Sequence, residues 1–334
     1  MDEILGKLDS NYGILIAKND KIVYEKYVGN KPDTRFRIFS LSKPITAMAI
    51  FILAESGKLC LTDTIDKFGI DISYNNQITI NHLLYHASGV YDFSSELYFK
   101  LKPKELFDSI CKKYETNFVE FKTCVNEIKA HKPYFKPGKI AYNPSNYNNS
   151  GYDILGWIIY RASGLRTDKF IKKYIFKPLK MSNAGFQHKK HPAESIPYDS
   201  LGLRGIKEQQ NWYCGNAYVV CTLQDYSKFM SGYETLLDPK YLAKYKKLYY
   251  FIKNVGKNSA YSAFWHMGGG DFSVAHKNGD IKYTPLSQTL MFRYEKKNTT
   301  YNIIVSENYR NKVGFFTQKY KIWNMIINFM FGKF

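Results

Sequence analysis

Hydrophobic and polar positions change their rhythm three times along the chain. Gly13 to Lys18 and Lys21 to Val28 are rich in Ile, Val and Tyr, with Asn19-Asp20 between them. Two β-prone runs separated by two residues that tolerate left-handed backbone predict a hairpin. Pro44 to Glu55 is apolar on almost every face, and Gly57 lies just past its end. That pattern predicts a helix buried in the core and closed by a left-handed glycine. From Leu61 to about Glu194 the spacing is helical and loop-rich, with few convincing strands. Thr222-Leu223-Gln224-Asp225 reads as a capping box opening a helix through Phe229. Beyond residue 260 strands return. Phe272 to His276 precedes a Lys277-Asn278-Gly279-Asp280 turn, and Thr289 to Tyr294 and Tyr301 to Ser306 flank Lys296 to Asn298. Thr317 to Phe331 predicts a last helix.

Strands at both ends with helices between imply an α+β fold, an antiparallel sheet built from both termini and flanked by helices. Residues 1–60 and 200–334 form the sheet region, and 61–199 a mainly helical insertion. No internal repeat or low-complexity linker interrupts the chain.

Composition constrains class more than function. With 334 residues, 45% hydrophobic and 23% charged, the chain is globular and long enough for a real core. Lys and Arg number 48 against 29 Asp and Glu, a net charge of +19. Lys far outnumbers Arg, and Asn, Ile and Tyr are plentiful, as AT-rich coding would produce. The charge therefore does not specify a nucleic-acid partner. Lys244, Lys246 and Lys247 with Tyr245, Tyr249 and Tyr250 read as a solvated helix face with tyrosines packed inward. No P-loop, dinucleotide fingerprint or zinc-finger spacing is present.

Cys60, Cys111, Cys124, Cys214 and Cys221 are scattered without a C-x-x-C pair, which predicts a reducing compartment. Met1 to Lys7 carries acidic residues where an export signal has a basic start, which predicts a cytoplasmic location. The apolar run Ala47 to Ala54 falls short of the roughly 20 residues that span a bilayer, and Ile322 to Phe334 reads as a packed helix. His82 and His86 are four apart, but no Glu follows His82 as in a zinc-protease motif, and His188 to His191 reads as an exposed loop. Neither a metal nor an organic cofactor is implied.

The candidate chemistry begins at Ser40-Leu41-Ser42-Lys43, an S-x-x-K at the start of the buried helix. Residues three apart share a helix face, so the Lys43 ammonium can lie beside the Ser40 hydroxyl. At the helix N-terminus, backbone N–H groups favour negative charge developing on Ser40. A serine becomes a good nucleophile only when a neighbouring base takes its proton. Alone, S-x-x-K is unspecific, and Ser109-Ile110-Cys111-Lys112 is another.

The surroundings supply specificity. Thr34 to Lys43 and then Gly57-Lys58-Leu59-Cys60-Leu61-Thr62-Asp63 resemble the nucleophile region of the serine β-lactamase and penicillin-binding-protein superfamily. The class C β-lactamase branch, with its esterases and D-peptidases, is the best match. Leu83-Leu84-Tyr85-His86-Ala87-Ser88-Gly89 resembles its LLxHxSG segment, and Pro137-Gly138 precedes a YxN…LG block from Tyr147 to Gly156. Pro178-Leu179-Lys180-Met181, the helix from Thr222 to Phe229 and His266-Met267-Gly268-Gly269 are similar to its PLGM, TxxDxxxF and HxG segments. The matches run in family order over roughly residues 13–306.

The resemblance implies a β-lactamase/transpeptidase-like fold and a serine hydrolase acting through an acyl-enzyme on a peptide, amide or ester bond. Ser40 matches the nucleophile, Lys43 its proton-accepting partner, and Tyr147 the proton relay. Asn149 matches the asparagine that binds substrate and orients Lys43. The backbone N–H groups of Ser40 and Gly269 would form the oxyanion hole. Gly268 and Gly269 suit a strand that substrate approaches closely. His266 stands where class C enzymes carry Lys, which places it on the edge strand flanking the site and removes a fixed charge for a penicillin carboxylate. The expected partner is a small-molecule or peptide substrate, with no specific nucleic acid and no transmembrane segment.

Two further departures keep alternatives open. Tyr142, with Asn143 beside it, lies nearer the family distance from Pro137-Gly138 than Tyr147 does. The downstream spacing to Gly151, Leu155 and Gly156 favours Tyr147. Asn216-Ala217-Tyr218 falls where relatives often read Ala-Gly-Gly, so the Tyr218 ring bears on the width of the site. A catalytically weak or inactive protein that keeps the fold for binding or structure is the alternative reading.

Overall fold

The computed structural model describes residues 10–94, 108–110, 112–114, 121–138, 147–186, 215, 218–246, 248–252, 259–262, 266–268, 273–278, 287–296 and 299–309. Side chains are described within these ranges except at 10, 37, 39, 248–296 and 307–309. The expected C-terminal helix, Tyr142, Cys111, Cys214, Gly269 and the histidines at 188 and 191 lie outside the described residues.

The hairpin forms as expected from strands β1 (Ser10–Lys18) and β2 (Lys21–Val28). Asn19 and Asp20 both take positive φ, 45° and 66°, the turn whose twist matches the flanking strands. Two- and three-residue strands follow at β3 (Phe36–Arg37), β4 (Gly185–Phe186) and β5 (Val219–Cys221). The C-terminal half adds β6 (Leu248–Ile252), β7 (Ser259–Ser262), β8 (His266–Gly268), β9 (Ser273–Asn278), β10 (Ser287–Lys296) and β11 (Thr299–Tyr309).

Eight strands join in the order β2-β1-β11-β10-β9-β8-β7-β6, with every pairing antiparallel. β1 pairs with β11 from Ser10↔Tyr309 to Lys18↔Tyr301, so the two ends of the described chain meet side by side, one strand in from the β2 edge. The sheet is therefore built from both termini. It differs from the sequence expectation in three places. β9 runs on through Lys277 and Asn278, which the spacing assigns to a turn. Tyr249 and Tyr250 lie on edge strand β6 rather than on a helix. His266 lies on β8, which pairs with β9 on one side and β7 on the other, so it is not on an edge strand. The two strands beyond it, β6 and β7, are what move the edge outward.

The helices are α1 (Ser42–Glu55), α2 (Ile80–Leu84), α3 (Phe121–Ala130), α4 (Asn149–Ser163), α5 (Thr167–Ile171), α6 (Leu223–Gly232) and α7 (Pro239–Lys246). Among the described residues no helix is long and apolar enough to cross a membrane. Helix α1 is buried from Ser42 to Phe51, as its all-round apolarity requires, and packs against α4, α5 and α7. Its end is a Schellman closure: Gly57 N–H donates to the Ala54 carbonyl and Lys58 N–H to that of Leu53, with Gly57 at φ 69°. The buried Tyr245 of α7 sets its ring edge-on to Phe51, with centroids 5.4 Å apart, and donates to the Pro44 carbonyl at 2.9 Å. Burial holds the Tyr245 and Tyr226 phenols well above the usual tyrosine range, so both stay neutral donors.

The separate small sheet, β3-β5-β4, escapes sequence reading because such short strands carry no periodicity. It fixes the entrance to α1. Ile38 N–H donates to the Val219 carbonyl and Val219 N–H to Ser42 Oγ at 3.1 Å.

Complete burial of α1 makes a direct prediction. Ile50→Ala, at a fully buried position, lowers unfolding free energy by about 2–5 kcal/mol. Ile22→Ala, on the exposed part of edge strand β2, changes it by less than about 0.5 kcal/mol. Urea unfolding of both variants checks this.

Candidate active site

Ser40 lies in a single 3₁₀ turn, Phe39–Leu41, that runs directly into α1. The turn packs against β9 and β10, and Lys43 projects from the first turn of the helix. The long-range partner is the start of α4. Its N-cap, Asn148, turns its side-chain oxygen back to accept Gly151 N–H at 2.6 Å, and so fixes where the helix begins. Tyr147 precedes the cap, and Asn149 is the first helical residue.

Four residues from these two segments converge. Lys43 Nζ donates to Ser40 Oγ at 3.1 Å and to Asn149 Oδ1 at 2.5 Å. The Tyr147 hydroxyl donates to Ser40 Oγ at 2.7 Å. Lys43 is fully buried and Asn149 nearly so, while Ser40 and Tyr147 remain half-buried, open enough to meet a substrate. The ammonium also faces two rings, with Nζ 4.7 Å from the Tyr147 centroid and 5.6 Å from that of Tyr152. Aromatic faces favour a nearby cation, and the effect grows when water is excluded.

Sequence reasoning assigned no role to Tyr152 or Gly215. Tyr152 is one turn along α4 from Asn149 and is anchored by a 3.0 Å bond to the Leu84 carbonyl. Gly215 is pinched between helices: its N–H donates to Asp153 and its carbonyl accepts from Thr46 at 2.7 Å. A Cβ there would lie 2.1 Å from the Tyr152 carbonyl oxygen, so glycine is required. The i, i+3 spacing of Asn149 and Tyr152 on α4 could have pointed to Tyr152; nothing local in the sequence marks Gly215.

His266 and Gly268 sit on β8, one strand away from the β9 surface that supports the Ser40 turn. Tyr218 is half-buried and packs against the core. The histidines at 82 and 86 are employed in backbone bonding. His82 Nδ1 accepts Thr79 N–H at 3.1 Å, completing a capping box at α2, and burial holds its pKa below the ordinary value. His86 Nδ1 accepts Asn148 N–H at 3.1 Å. Cys221 is enclosed in β5, where burial pushes its thiol far above the usual range and away from nucleophilic chemistry.

A family model described as "Beta-lactamase" matches residues 11–316. The chain belongs to the β-lactamase family. Placement in the class C branch rests on motif resemblance alone. Protein flp of Staphylococcus aureus (strain NCTC 8325 / PS 47) is 27% identical over 293 residues, 79% of this chain and 53% of flp. PbpX of Bacillus subtilis (strain 168) is 27% identical over 275 residues, 78% of this chain and 62% of PbpX. The chain thus spans between about half and three-fifths of these curated relatives. A D-stereospecific amidohydrolase from Streptomyces sp. superposes with a TM-score of 0.72 at 18% identity, covering 92% of each chain. The fold of this β-lactamase-family protein is β-lactamase/transpeptidase-like, of the α+β class.

The buried ammonium sets a test of packing. Asn149→Leu takes away the 2.5 Å acceptor of a charged donor and lowers stability by about 1.5–3 kcal/mol. Adding Lys43→Met removes the stranded charge. A double-mutant cycle by urea unfolding returns a coupling of about 1 kcal/mol or more, with the double variant more stable than additivity allows.

Proposed function

We propose that the protein is a serine hydrolase that forms an acyl-enzyme at Ser40 and acts on a peptide, amide or ester bond of a small-molecule or peptide substrate. The observation that carries the reading is that Ser40 Oγ meets both Lys43 Nζ and the Tyr147 hydroxyl, while Asn149 holds the same ammonium. Two proton-handling groups on one serine oxygen are what activation of a hydroxyl nucleophile needs.

In this mechanism the Tyr147 phenol first gives up its proton to solvent, and Ser40 Oγ then attacks the carbonyl carbon as its own proton passes to the phenolate oxygen. With the phenol ionised, the hydrogen bond between the two oxygens runs from Ser40 to Tyr147. The Lys43 charge beside the ring supports phenolate character on Tyr147. The oxyanion is received by the backbone N–H groups of Ser40 and Gly269, the role their motif positions imply. Tyr147 then returns its proton to the leaving amine or alcohol. Water takes the place of the leaving group, gives its proton to the same relay, and frees the acid. Asn149 and the β8 residues His266 and Gly268 bind the substrate chain beside the scissile bond. A histidine at 266 offers no permanent charge, which favours amide, peptide and ester substrates over penicillins. The amidohydrolase named above shares the fold and is consistent with that preference. A cytoplasmic setting belongs to the same proposal, supported by the scattered cysteines.

Incubation with a fluorophosphonate, a fluorescent penicillin and a p-nitrophenyl ester, followed by intact mass, tests the reading. The wild-type protein gains one adduct with the fluorophosphonate and hydrolyses the ester; Ser40→Ala abolishes both. Tyr147→Phe lowers ester turnover by about 10²–10⁴-fold. Folded wild-type protein that forms no adduct and turns over no ester overturns the proposal in favour of a binding or structural role.

A further inference from the structure

The first turn of a helix exposes N–H groups that no helical carbonyl can accept. At the start of α4, four consecutive ones find acceptors. Asn148 N–H donates to His86 Nδ1 at 3.1 Å. Asn149 N–H donates to both carboxylate oxygens of Asp92 at 3.1 Å, and Ser150 N–H to Asp92 Oδ1 at 2.9 Å. Gly151 N–H goes to the Asn148 cap. His86 and Asp92 are each 6% exposed, so these bonds are made away from water.

Both acceptors come from one seven-residue segment, which is itself held at several points. Gly138 N–H donates to the Ala87 carbonyl, Tyr134 N–H to that of Gly89, and Asn148 Nδ2 to that of Val90. Gly89 takes φ 70°, and a Cβ there would lie 2.0 Å from the Phe135 carbonyl oxygen. His86 holds φ 58°, an unusual value for a side-chain-bearing residue. Strain of this kind persists where surrounding bonds over-determine the backbone.

The chemistry of the two acceptors differs. An imidazole nitrogen that accepts an N–H carries no proton, so His86 is neutral with its hydrogen on Nε2. Its ring leans on Tyr147 at 4.6 Å and on Tyr152 at 5.2 Å between centroids. Asp92 places a carboxylate against the positive end of the α4 dipole and spans two adjacent amides. Rotation of the first turn of α4 would break at least one of these bonds.

We propose that His86 and Asp92 are positioning residues that clamp residues 147–150, and so hold the Tyr147 hydroxyl and the Asn149 amide on Ser40 and Lys43. The inference rests on the acyl-transfer reading and deepens it. It explains why the H-x-S-G segment, which contributes no group to the proton relay, lies beside the site. Protonation of His86 would turn its acceptor into a donor aimed at Asn148 N–H. The groups facing that change are the Tyr147 and Tyr152 phenols, the Lys43 ammonium lying over both rings, and Asp92 on the neighbouring amides.

The test uses His86→Asn, His86→Leu and Asp92→Asn in the full chain. Asn Oδ1 follows the same bond path as His Nδ1, and Asn tolerates left-handed backbone. His86→Leu removes the acceptor and lowers kcat for p-nitrophenyl ester hydrolysis by about 10²-fold with KM little changed. His86→Asn restores activity to within about 10-fold of wild type, and its kcat profile loses the fall on the acidic side that protonation of His86 produces in the wild type. Asp92→Asn, with one acceptor oxygen left, falls between the two. Nitrogen NMR of the wild-type imidazole, which needs no activity, shows a bare Nδ1 and a protonated Nε2 at neutral pH. Wild-type protein labelled at Ser40 by a fluorophosphonate, with all three variants turning over at the wild-type rate, overturns the clamp alone. A protonated Nδ1 on His86 overturns it even if His86→Leu does not fold. Wild-type protein that is not labelled at Ser40 overturns the underlying reading and the clamp with it.

Discussion

A fully buried ammonium at Lys43 is the constraint around which the rest of the structure is arranged. Removing such a charge from water costs several kcal/mol unless acceptors replace the lost hydration. Here they come from two segments more than a hundred residues apart: Ser40 one turn before Lys43, and Asn149 at the head of α4. The Tyr147 and Tyr152 rings add two electron-rich faces. To bring them together, α1 must lie at the centre of the molecule, with α4 packed along it. The all-round apolarity of α1 and the glycine pinched at 215 serve that single packing. The site and the core are one construction, which is why the most buried helix carries the candidate nucleophile at its entrance.

The sheet supports the turn that carries Ser40. β9 and β10 carry the turn that holds the serine, and β8 lies next in order. Pairing of β1 with β11 ties the ends of the described chain together beside β10, one of the two strands under the serine, so that surface is braced from both ends. Because β8 is paired on both edges, its N–H and C=O groups are largely committed to the sheet. His266 and Gly268, the first and last residues of β8, are the ones proposed to meet a substrate.

Much of this was legible in the sequence where a physical signal is local. The Asn19-Asp20 hairpin, the α1 core helix with its Gly57 closure and the Thr222 cap each follow from side-chain chemistry within a few residues. Helical spacing pairs Ser40 with Lys43, but only the ordered family resemblance singles that pair out from Ser109 and Lys112 and adds Tyr147 and Asn149. What escaped were features defined by distance in sequence. The short strands β3, β4 and β5 exist only because they pair with one another. β6 takes in the end of a basic, tyrosine-rich stretch whose spacing reads as a helix face, and with β7 it moves β8 away from the sheet edge. Asp92 and Gly215 show their roles only when α4 is in place. The excess positive charge, conspicuous in composition, is attached to one chemical role, that of Lys43; the remaining lysines set the long-range field around the molecule.

The central claim is that Ser40, Lys43, Tyr147 and Asn149 form one acyl-transfer site. A crystal structure of the protein after reaction with a fluorophosphonate tests it most directly. Continuous density is expected from Ser40 Oγ to phosphorus, with Lys43 Nζ still on Asn149 Oδ1 and the Tyr147 hydroxyl within hydrogen-bond reach of the Ser40 oxygen. Density on another residue, or Tyr142 standing in place of Tyr147 beside the modified serine, would contradict it.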